Sequence, residues 1–146
     1  MDTLALRLVY DGKGPAIWTP APGAFGLQDK DAVLHVGTPG PRGTTVFEFS
    51  LVARPHAASG ALVLGGDFAH GPPAARFLYL GWRNAQGAFA QRLKIPLSSI
   101  SSTDIEAAVA SGRTLEATLV DHHPRATTTG ANIGGTRQVA WALAER

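Results

Sequence analysis

Cysteine is absent from the 146 residues, which excludes disulfides, thiolate metal sites and cysteine nucleophiles together. Lysine is scarce: Lys13, Lys30 and Lys94 are the only three, and arginine supplies the remainder of the 13 basic residues. Charge of either sign is sparse, at 16% of the chain, against about a quarter in an average globular protein. Eleven acidic residues leave a net charge of +2, so composition alone does not mark a nucleic-acid binder. No run approaches the roughly 18 apolar residues of a membrane helix. The start, Met1-Asp2-Thr3-Leu4, has neither the basic nor the apolar region of a secretory leader. The expectation is a cytoplasmic protein with no membrane contact.

What is present is a chain of single-domain length, 45% hydrophobic, with 17 Gly and 10 Pro. That length supports one core without covalent staples. Residues 4–10 (LALRLVY) read as a first strand closed by Asp11-Gly12. The Pro- and Gly-rich stretch Gly14–Gly26 reads as an ordered loop, either a lid or a plain connection, docked through Phe25-Gly26-Leu27-Gln28. A short β run at 32–36 precedes the turn Gly37–Gly43. In Thr44–Arg54 the apolar Phe47, Phe49, Leu51 and Ala53 alternate with Glu48, Ser50 and Val52, the period of a strand with one buried face. Further strands are expected at 61–64, 75–82, 89–97, 114–120 and 139–143.

One helix is expected, near 103–111. Thr103-x-x-Glu106 supplies a capping box, Ile105, Ala108 and Val109 an apolar stripe, and Gly112 a stop. Residues 121–136 read as a flexible loop before the last strand. The sum is a single domain over 1–146: mainly β, an antiparallel sandwich or barrel-like fold of about eight strands with one short helix.

The hairpin closed by Asn84–Gly87 carries the most chemistry. Pairing Arg83 with Ala88 would set Tyr79 against Arg92 and Phe77 against Lys94. Those residues would share one face, while Leu78, Leu80, Trp82, Phe89, Leu93 and Ile95 would form the core face. Arg76 extends the basic strip. Aromatics interleaved with cations can stack bases and hold phosphates. They serve equally as cross-strand cation–π packing on a solvated sheet, or lie beneath another element.

Other constellations are weaker. Asp67 and His70, beside the stiff corner Gly71-Pro72-Pro73, offer a carboxylate and an imidazole, but on a loop that spacing fixes no geometry. Asp121-His122-His123 places adjacent histidines on opposite sides of an extended chain, where they do not readily share one ion. His35 and His56 have no readable partners. There is no Gly-x-Ser-x-Gly elbow and no Walker loop. No nucleophile, base and orienting group can be named together, so neither metal nor cofactor is expected.

Three motifs in order, Phe25-Gly-Leu-Gln28, then Gly71-Pro-Pro-x-x-Arg76-Phe77-x-Tyr79, then Arg92-x-Lys94-Ile-Pro-Leu97, resemble a bacterial family of small proteins catalogued as domain of unknown function 5990. The resemblance spans roughly residues 4–120 and does not reach the tail. It implies a compact stand-alone domain and carries over no catalytic or binding residue. Three readings of function remain open at this point. The first is a non-enzymatic binding or accessory domain taking a nucleotide, nucleic acid or acidic peptide on the basic–aromatic face. The second is a structural protein that forms a homodimer through that face or a sheet edge. The third is a metal-dependent hydrolase using Asp67, His70 and His122.

Overall fold

The computed structural model describes residues 2–12, 23–29, 33–55, 60–64, 77–84, 89–121 and 135–145. The strands are β1 (Asp2–Gly12), β2 (Gly23–Gln28), β3 (Leu34–Val36), β4 (Thr38–Pro39), β5 (Thr45–Pro55) and β6 (Leu62–Leu64). They continue as β7 (Phe77–Asn84), β8 (Phe89–Pro96), β9 (Leu115–Asp121), β10 (Gly135–Thr136) and β11 (Ala142–Leu143), with one α-helix among the described residues, α1 (Ser102–Ser111). A six-stranded sheet runs β11-β9-β1-β5-β4, with β6 also paired to β5. A five-stranded sheet runs β10-β8-β7-β2-β3. This is a mainly β sandwich, not a closed barrel. It is not wholly antiparallel, because β1 pairs β9 and β8 pairs β10 in parallel.

Period-two patterning builds both inner faces. Leu4, Leu6, Leu8 and Tyr10 of β1 are buried with Phe47, Phe49, Leu51 and Ala53 of β5 and Leu115, Ala117 and Leu119 of β9. The other sheet answers with Phe25, Leu27, Leu78, Leu80, Leu93 and Ile95. Phe25 joins the layers, its ring centre 5.2 Å from Tyr10 and 5.7 Å from Phe47. Burial of such side chains is worth about 1.5–3 kcal/mol each.

α1 carries the chain from the five-stranded sheet to the six-stranded one. Its cap is Ser101, whose Oγ accepts from the Asp104 amide at 3.1 Å, so the helix opens on a Ser101 cap and not on a Thr103-x-x-Glu106 box. The earlier serine wins because Ser101 keeps an extended backbone while the helix starts at Ser102. Ile100 before the cap and Ile105 after it, the two positions of a hydrophobic staple, are both buried. Gly112 ends the helix at φ 68°, a left-handed angle that suits glycine.

Two further expectations need correction. Gly23–Gly26 is not loop: it forms β2, paired on both sides by β7 and β3. The last strand is Ala142–Leu143 alone. Before it, Trp141 is buried and donates its Nε1–H to Ser99 Oγ at 3.1 Å. Of the expected 121–136 loop, 122–134 lie outside the described residues, while Gly135–Thr136 pair with Leu93 and Lys94.

Candidate functional site

The β7–β8 hairpin holds the residues singled out from the sequence, with a different register. Phe77 pairs with Pro96, Tyr79 with Lys94 and Arg83 with Phe89; the expected Phe77–Lys94, Tyr79–Arg92 and Arg83–Ala88 pairs do not form. The register shifts between Leu80 and Gly81. Leu80 stands opposite Leu93 and Gly81 opposite Gln91, so Arg92 is the extra residue of a β-bulge.

A displacement by two positions at the base of the hairpin leaves faces unchanged, so Phe77, Tyr79 and Lys94 still lie together. Beyond the bulge the displacement is odd, and Phe89 moves opposite Arg83. It is half-buried, not a core residue. Leu78, Leu80, Leu93 and Ile95 are buried as expected.

On the outer face of this sheet the Lys94 Nζ stands 4.8 Å from the centre of the Phe77 ring. The Phe77 and Tyr79 rings are 6.1 Å apart and tilted by 46°. All three side chains are half-buried, and Arg83, further along β7, is exposed. Among the described residues neither Lys94 nor Arg83 forms an ion pair. The Tyr79 hydroxyl makes no hydrogen bond to a described residue. Such a face can hold an anion and present an aromatic surface beside it.

The outer face of the six-stranded sheet is organised in the opposite way. Arg7 of β1 sits in one cross-strand row between Glu48 of β5 and Glu116 of β9. Its Nη1 donates to Glu116 at 2.9 Å and its Nε to Glu48 at 3.3 Å. The hydrogen bond to Glu116 is the main reason its pKa is raised, with Glu48 adding to it against partial desolvation. Shallow depressions of about 240 and 180 Å³ flank it, lined by Ser50, Thr114, Arg113 and Glu145 among others. A cation already shared by two carboxylates has little charge to offer a ligand.

His35 has a partner after all. Its Nε2 lies 2.9 Å from Oδ2 of Asp29, which is 6% exposed, and its ring centre lies 5.3 Å from that of Phe49. Oδ1 of Asp29 accepts from the Val33 amide at 3.0 Å. The pair closes the β2–β3 connection. Asp29 and His35 meet only because β2 and β3 pair across that connection, and no motif in the local sequence announces it.

Arg76, Asp67, His70, Gly71, Pro72, Pro73, His122 and His123 lie outside the described residues, as does the 14–22 part of the long loop. The side chain of Arg92 does too. Among the described residues no three His, Cys, Asp or Glu side chains cluster as a metal site, and no helix is long and apolar enough to cross a membrane.

No curated protein matches the chain. No solved structure matches it either. A family model, described as a family of unknown function, matches residues 6–144. That match runs through the tail, past the limit near 120 that the sequence motifs suggested. The hairpin face, Phe25–Gln28 and the closing β11 all fall within it, and the chain belongs to that family, DUF5990.

Proposed function

We propose that the protein is a non-enzymatic binding module that takes an anionic ligand on the outer face of its five-stranded sheet. One observation carries this reading: Lys94 and Arg83 share the face of Phe77 and Tyr79 without a carboxylate partner among the described residues. On the opposite sheet Arg7 is matched by two. The setting is a bacterial cytoplasm, where a chain without cysteine has no disulfide to lose.

Inorganic tripolyphosphate, titrated against the full chain over a salt series, tests the reading. Wild-type protein binds at low salt and loses affinity steeply as salt rises. Lys94→Met with Arg83→Gln weakens binding and makes that dependence shallower. No binding at low salt, or equal binding by the double variant, overturns it.

Self-association keeps one supporting observation. β3 is the edge of the same sheet, and Val36 on it and Val33 beside it are 63% and 51% exposed. Light scattering at low and high salt separates the two readings: a dimer that persists in high salt favours the apolar edge.

A further inference from the structure

We infer that the ligand is single-stranded nucleic acid, with Tyr79 as the base-stacking platform and Lys94 and Arg83 as the phosphate contacts; this rests on the anion-binding reading above. The Lys94 ammonium covers the Phe77 ring at 4.8 Å, which makes Phe77 the support that holds the cation in place. Tyr79 is the next ring along the strand, half-buried, with a hydroxyl that bonds no described residue. Beside Lys94 it is the described ring left for a ligand, as Phe89 is beside Arg83.

The spacing selects an extended, repeating anion. Lys94 stands in the cross-strand row of Tyr79, and Arg83 is four residues further along β7, about 13 Å away at the rise of a β-strand. Neighbouring outward positions of the strand lie about 6.6 Å apart, a step similar to that between phosphates on an extended single strand. An inorganic phosphate reaches one cation and cannot reach the other. An acidic peptide would satisfy both cations and leave the ring unused. A chain of phosphates with a planar ring at each step satisfies the cations and Tyr79 together. A duplex keeps its bases paired inside, out of reach of a flat sheet face.

Fluorescence anisotropy of the full chain with a labelled oligothymidine octamer tests this, set against an abasic octamer of equal charge, the same sequence as duplex, and tripolyphosphate. The octamer binds at least about fivefold tighter than its abasic counterpart, as one stacked base requires. Tyr79→Leu removes most of that margin, bringing the octamer towards its abasic counterpart. Tyr79→Phe keeps it, and thermal melts confirm that both variants fold. Equal affinity for the octamer and the abasic strand, or for the octamer and the duplex, overturns the inference while the anion-binding reading stands. Absence of binding to every polyanion, tripolyphosphate included, overturns both.

Discussion

Lys94 reaches the Phe77 ring diagonally: its direct neighbour across the hairpin is Tyr79, while Phe77 faces Pro96. A double-mutant cycle with Phe77→Leu and Lys94→Met isolates this contact. The coupling in urea denaturation should be about 0.5–1 kcal/mol, the range for exposed cation–π pairs. Coupling near zero would make Phe77 a packing residue only.

Arg7 ties three strands of the other sheet together. Arg7→Met should destabilise the protein by about 1 kcal/mol, since both pairs are partly solvated. The raised pKa means that this contribution is full below the unfolded arginine value and fades only as pH rises through the higher folded one. Raising the salt concentration should reduce the difference between variant and wild type, whereas moving the pH within the neutral range should leave it unchanged. A difference that is insensitive to salt would argue for lost packing of the arginine stem.

Asp29 is the most consequential polar residue in the described core. Asp29→Ala removes the acceptor of the Val33 amide and the partner of His35 at one stroke. The expected cost is about 1–2 kcal/mol in a urea melt, as the buried carboxylate's two partly exposed partners lose a bond. His35→Gln, which keeps a donor near the carboxylate, should cost less. The reverse order would show that the imidazole packs against Phe49 more than it serves Asp29.

The helix cap can be decided by two alanines. Ser101→Ala should cost about 1 kcal/mol, whereas Thr103→Ala should stay within about 0.5 kcal/mol, as for an ordinary exposed site. Gly112→Ala should also destabilise, because the left-handed angle at the helix end strains any residue with a Cβ. A larger loss at Thr103 than at Ser101 would restore the later capping box.

Some of this architecture was legible residue by residue. The alternation through Phe47–Ala53, the core side of the hairpin at Leu78, Leu80, Leu93 and Ile95, and the stop at Gly112 are local patterns that depend on neighbours one to four positions away. β2 was not legible: Gly23–Gln28 gains its extended state from hydrogen bonds to β3 just after it and to the distant β7, while its Gly- and Pro-rich approach carries the local signal of a loop. The hairpin register was not legible either. A four-residue loop leaves the ladder free to slip until the bulge at Arg92 and the burial of Leu93 opposite Leu80 settle it.

Read alone, the sequence was enough for a cysteine-free β fold with a short helix ending at Gly112, family motifs and a hairpin with a core side and a basic–aromatic side. Tertiary structure alone decided which charges meet. Arg7, Glu48 and Glu116 come from three distant strands, and Asp29 and His35 need β2 to pair with β3 before they touch. Lys94 was left over Phe77 with no carboxylate opposite among the described residues. Charge pairing across a sheet is set by strand order and register, and both are products of burying the far side of each strand.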